Sequence, residues 1–181
     1  MKNFSKYQIA TAIAILFHTI GIIGILFFDT SSFINTTPLN LLLMAGLLFY
    51  TQDKINIPFI VFFMVCFTVG VLVEIIGTST GSLFGNYNYG ISLGPGIYEV
   101  PFIIGVNWFI IIYCCGVSIQ IMLTKVIKKL SDEMGRPTKS IQMLSIMVDG
   151  ATLAVLFDWL MEPAAVKLGY WKWLGNGEIP L

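Results

Sequence analysis

IPFIVFFMVCFTVGVLVEII, residues 57–76, is an unbroken apolar run with a single charge, Glu74. A helix that spans a bilayer needs about 20 mainly apolar residues, and this run supplies them. Three more stretches of that kind follow from the same reading: Ile9–Phe28, Pro101–Leu123 and Ile141–Leu160. A fifth, Pro38–Tyr50, is short, and spans only with help from the polar residues before it or by lying tilted and partly interfacial. Composition agrees. The chain is 56% hydrophobic and only 11% charged, against about 25% charged in ordinary soluble domains. The expected fold is all-α: a polytopic membrane helix bundle of about five spans, residues 1–181 forming one integral membrane domain. Pro38, Pro58 and Pro101 each sit at the start of a run, where a missing N–H costs little, and Ser140 is the expected N-cap of the last helix.

Charge placement gives an orientation. With the N-terminus in the cytoplasm, five spans put Lys2, Lys6, Lys54, Lys125, Lys128, Lys129, Arg136 and Lys139 inside, and only Lys167 and Lys172 outside. The loop Asp29–Thr37 carries no positive charge. This is a positive-inside bias, and it supports counting the short second span. The expected location is therefore the cell's inner or plasma membrane, crossed several times. The first apolar run is too long for a signal peptide and lacks a small-residue cleavage site, so it is expected to be retained. A net charge of zero gives no reason to expect nucleic acid as a partner. Cys66, Cys114 and Cys115 lie in apolar runs, which favours packing over a disulfide framework.

Two segments on the expected outer side are more than connectors. Residues 77–100, GTSTGSLFGNYNYGISLGPGIYEV, are rich in Gly, Tyr, Asn and Ser. The other is the tail KLGYWKWLGNGEIPL, residues 167–181. Tyr and Trp favour the membrane–water interface, so an aromatic belt is the plain reading. Glycines at 77, 81, 85, 90, 94 and 96 favour a specific backbone path instead, and loops of this length often carry function.

Ionisable groups in hydrocarbon are expensive, and each is a functional candidate. Glu74 lies near the outer end of its span. Asp158 lies near the outer end of the last one, and Glu162 follows a turn later on the same face. Asn107 sits in the outer third of its helix, and His18 and Asp149 lie near mid-depth. The inner halves of the spans hold no ionisable residue, which suits a reaction on a lipid-dissolved molecule near the outer interface better than an ion pathway. Each has a plainer reading too. Glu74, Asp158 and Glu162 can be interfacial carboxylates that reach water. Asp149 can make a buried hydrogen bond to His18. Asp149 and Asp158 are nine residues apart and face opposite sides of a regular helix. One His, no paired Cys motif and scattered carboxylates give no metal-ligand spacing.

The runs VEIIGTSTGSLFGNYNYG (73–90), GPGIYEVPFIIGVNW (94–108) and MVDGATLAVLFDWLMEPAAVKLGYWKW (147–173) together resemble the carotenoid biosynthesis family that includes carotenoid 1,2-hydratases and bisanhydrobacterioruberin hydratase. The parts that carry the resemblance are Glu74 with Gly77, Gly85, Tyr87, Tyr89 and Gly90; Pro101 with Asn107 and Trp108; and Asp149, Asp158 and Pro163 with Gly169, Tyr170, Trp171 and Trp173. They cover most of the chain after residue 70. The resemblance also implies a further closing helix beyond Leu181.

For function, the resemblance implies a hydro-lyase that adds water to a terminal C=C of an acyclic, lycopene-type carotenoid, without a cofactor. Its partners would be the lipid-soluble carotenoid, membrane lipid and other carotenoid enzymes. A carboxylic acid protonates the less substituted carbon, and water captures the tertiary cation. Free carboxyl groups titrate near about 4, and an apolar wall keeps such a group protonated to higher pH. Glu74 is the first candidate for the acid; Asp158 is next, as the acid or as the group that orients water, and Asp149 stands with them as a catalytic candidate, set deeper and better suited to support. Asn107 can hold the water. Tyr87, Tyr89, Trp108, Trp171 and Trp173 can face the cation, since aromatic faces attract positive charge. His18 and Glu162 are expected as supports. Two alternatives stand beside this: a carotenoid cyclase, in which an internal alkene captures the same cation, and a non-enzymatic carotenoid or lipid carrier.

Overall fold

The computed structural model describes residues 4–134 and 137–174. Lys2, Arg136 and the end of the tail, 175–181, lie outside them. Six helices dominate the described residues: α1 (Lys6–Phe27), α2 (Thr30–Asn35), α3 (Thr37–Thr51), α4 (Ile57–Thr80), α5 (Phe102–Met134) and α6 (Lys139–Lys167). Of these, α1, α4, α5 and α6 are long and apolar enough to cross a membrane. The fifth expected span is α3, a helix of 15 residues, or about 22 Å against a hydrocarbon core of about 30 Å. The fold is an all-α polytopic bundle, as the sequence predicts.

Local chemistry sets the helix starts. Ser5 and Gln8 form a reciprocal cap on α1, satisfying two amides that the helix leaves open. Asp29 accepts from Ser31 N and caps α2. Asn56 accepts from Phe59 N at the head of α4, with Pro58 in its first turn. The cap of α6 differs from expectation. Thr138 Oγ1 accepts from Ile141 N, and Ser140 is already inside the helix. Two further helices outrun their apolar cores. Thr78 and Thr80 hydroxyls on α4 donate to the carbonyls of Glu74 and Ile76, which keeps these polar residues helical up to Gly81, a left-handed C-cap at φ 64°. α5 continues past Leu123 through its lysines to Met134.

The chain divides into two compact units, with boundaries inside α5 and at Pro163 in α6. The first joins Met1–Phe109 to Ala164–Leu181. At its centre Phe49, Phe59, Phe62 and Phe63 pack around Phe109 with ring centroids 5.0–6.1 Å away, and Phe109 is wholly buried. Such edge-on aromatic contacts add to simple area burial. α4 shows both of its environments. Cys66, Gly70, Glu74 and Gly77 are buried, while Val61, Val65, Val69, Leu72 and Ile76 are exposed along the other side. In water that stripe would be a liability; against lipid it is the expected outer face. Lys6 joins the start of α1 to the α3–α4 connection, through Asp53 at 2.8 Å and the Gln52 carbonyl at 2.8 Å.

The second unit is Ile110–Pro163. Here α5 and α6 meet at glycines: a Cβ on Gly150 would lie 3.5 Å from Gly116 Cα. Small residues at such a crossing let two backbones approach closely.

Candidate functional site

Glu74 is buried near the end of α4 and is held by three donors. The Tyr87 and Tyr89 hydroxyls both donate to its Oε2, Tyr89 at 2.7 Å. The Trp108 indole Nε1–H donates to Oε1 at 3.0 Å. Glycines one turn to either side of Glu74 make this possible. A Cβ on Gly70 would lie 2.5 Å from the Trp108 ring, and one on Gly77 would lie 3.0 Å from Phe84 and 3.4 Å from the Tyr87 hydroxyl.

After α4 the chain turns back through left-handed Gly81 and Gly85 into a short strand, β1 (Tyr87–Tyr89). Alternate residues of a strand share a face, so Tyr87 and Tyr89 reach the same carboxyl group. A second short strand, β2 (Gly96–Ile97), pairs with β3 (Val100–Pro101) and leads into α5. The strand that covers the site is β4 (Trp171–Trp173), antiparallel to β1 with Tyr87 opposite Trp173 and Tyr89 opposite Trp171. Their ring centroids lie 5.4 and 6.2 Å apart. Backbone bonds clamp the pair at both ends, Leu174 N to Asn86 O and Gly90 N to Tyr170 O, each 2.7 Å.

The chain reaches β4 through a Schellman turn: Tyr170 N donates to Ala165 O and Gly169 N to Val166 O, with Gly169 left-handed at φ 75°. Tyr170 then ties this segment to α3 through a 2.6 Å hydroxyl–hydroxyl bond with Thr37. Burial, and next the neighbouring Glu74 charge, push the Tyr89 phenol well above its ordinary pKa. The shift favours the neutral phenol, the form that donates to Glu74.

Of the residues expected from sequence, Glu74, Tyr87, Tyr89 and Trp108 form one hydrogen-bonded cluster, and Trp171 and Trp173 pack against its tyrosines at steep ring angles. Asn107 is half-buried beside Trp108 on α5. Asp149, Asp158 and Glu162 belong to the second unit. Asp149 and Asp158 are exposed and Glu162 is half-buried. α6 is continuously helical between the two aspartates, so they lie on opposite faces. The buried role expected of Asp149 and His18 is not what is observed. His18 is also exposed, and its Nδ1 hydrogen-bonds the Ala14 carbonyl at 2.8 Å. Apolar neighbours along a helix signal lipid as readily as core, so apolar flanks alone do not fix burial.

Sequence reading missed Gly70 and the Thr37–Tyr170 tie. A glycine inside a helix weakens it by about 1 kcal/mol relative to Ala, and was the available signal for a close contact. Trp108→Phe keeps an aromatic ring, though a smaller one, and removes the donor to Oε1. We expect the midpoint of thermal unfolding in detergent to fall by the equivalent of about 1 kcal/mol, with little change in expression.

The model of the carotenoid biosynthesis protein family matches residues 36–180. The match starts well before residue 70, where the resemblance begins, and takes in α3 as well as the site. No curated protein and no solved structure matches the chain. With the family match running from α3 through the Glu74 cluster and its β4 cover, the chain belongs to the carotenoid biosynthesis protein family.

Proposed function

We propose that this chain hydrates a terminal C=C of an acyclic carotenoid, with Glu74 as the proton donor. The observation that carries the reading is one buried carboxyl group held by Tyr87, Tyr89 and Trp108 under an aromatic cover. A tyrosine hydroxyl can donate or accept, whereas an indole N–H only donates. Oε2, between the two phenols, is thus the oxygen that can carry the proton, and Oε1 stays an acceptor.

The reaction follows from this arrangement. The Glu74 proton passes to the less substituted alkene carbon, whose π electrons form the new C–H bond. The tertiary cation that results is faced by aromatic rings and by the new carboxylate, itself stabilised by three prepared donors. Water adds its oxygen to the cation, and the proton it sheds restores the Glu74 acid. Asp158 and Asp149 remain secondary candidates for the acid, with Asn107, beside Trp108 on α5, for contacting the substrate. We place the site at the outer side of the inner membrane, with the N-terminus cytoplasmic, on the distribution of Lys and Arg.

A cyclase is the second reading, favoured by the burial of Glu74, since a dry pocket leaves an internal alkene as the only nucleophile. Membranes carrying the protein, given lycopene, decide between them by product mass. Hydration adds one water. Cyclisation leaves the mass unchanged and forms a ring. Recovery of unaltered lycopene would remove both readings.

A further inference from the structure

Two buried oxygens belong to elements that neighbour the Glu74 cluster along the chain. Asn40 Oδ1, on α3, and Ser92 Oγ, in the short 3-10 turn Ile91–Leu93, are both shielded from solvent and have no hydrogen-bond partner among the described residues. Their elements pack against each other. Both are close to the site along the chain and across it. Ser92 is three residues beyond Tyr89, a span of at most about 11 Å. Asn40 is one helical turn beyond Thr37, whose hydroxyl meets Tyr170, the neighbour of Trp171 in the aromatic cover.

Buried polar atoms are normally satisfied, and each exception calls for a reason. A water molecule needs two or more polar partners in such a place. Two oxygen acceptors on elements that pack together can take both protons of a water and leave its lone pairs free. That is the orientation a nucleophilic water requires.

We infer that Asn40 Oδ1 and Ser92 Oγ hold the water that captures the carotenoid cation. This rests on the hydratase reading above. The chemistry balances: the water's oxygen forms the C–O bond of the tertiary alcohol, one of its protons stays on that oxygen, and the other returns to the Glu74 carboxylate. When no water is held, the cation has another exit. It gives a proton back to Glu74, and the alkene is restored.

That second exit supplies the test. The full-length protein in membranes is given lycopene in deuterated water, and both hydrated product and deuterium at the terminal alkene of recovered substrate are measured. Ser92→Ala and Asn40→Leu are each expected to lower hydration about tenfold or more, with deuterium exchange kept within about twofold. Asn40→Asp, which keeps the acceptor oxygen, restores hydration. Unchanged hydration in both variants overturns the inference. So does a joint fall of hydration and exchange, which marks a merely structural role. An unaltered chain that neither hydrates nor exchanges overturns the proposed reaction, and this inference with it.

Discussion

Glu74→Gln is expected to yield a well-folded protein that makes no detectable product. The fold should survive because an amide suits the same three partners. Its carbonyl oxygen can take Oε1's place and accept from Trp108, and its NH2 can donate to the hydroxyls of Tyr87 and Tyr89. Stability should change by about 1 kcal/mol or less. The reaction should not survive, because an amide has no proton acidic enough for an alkene. Loss of a general acid lowers rates by roughly 10²–10⁴. Glu74→Leu makes the contrast. It strands three donors in a buried site, at about 1–3 kcal/mol each, and should fail as a fold as well as a catalyst. Product yield and thermal unfolding in detergent, measured on the same preparations, separate the two effects. Full activity in Glu74→Gln would refute the assignment of the acid and move it to Asp158 or Asp149.

Gly90→Ala has the next largest expected effect, although it adds one methyl group. The new Cβ would sit 2.2 Å from the Gly169 carbonyl oxygen. That atom is backbone, fixed by the Schellman turn, so it cannot swing aside. β1 and β4 must separate at this end, and the Gly90 N to Tyr170 O bond goes with them. Overpacking of this sort costs about 1–3 kcal/mol. Activity should fall by roughly 10²-fold, the penalty for moving an active-site group by about an ångström, because Tyr89 is adjacent to Gly90. Gly21→Ala is the control. Its Cβ meets nothing within 4 Å, and alanine is the better helix former, so stability and activity should hold or rise. Equal behaviour of the two variants in unfolding and turnover would rule out the clash as the cause.

The helices were legible in the sequence because a spanning segment must be apolar along its length. Their ends were less so. Thr78 and Thr80 satisfy their own helix, and the lysines of α5 extend one past its apolar stretch. Glu74 stood out as a carboxyl group inside the run 57–76, and its aromatic neighbours were picked out as a set by the family resemblance. The pairing of YNY with WKW was not legible. Each triplet is too short to announce a strand, and their register is set by two glycine turns far apart in the chain. Asp149 and His18 show the converse. Apolar flanks made them look buried, but in a membrane protein those flanks can face lipid.

The Thr37–Tyr170 bond also bears on the number of crossings. Tyr170 is on the same side of the bilayer as β1, because β4 pairs with β1. Thr37 is therefore on that side too. Between Thr37 and Tyr87 lie only α3 and α4. A chain that leaves one side of a membrane and returns to it crosses an even number of times. If α4 crosses once, as its length and apolarity allow, the same parity calls for a crossing by α3, short as it is. The Lys6–Asp53 contact gives the same parity for α1 and α3.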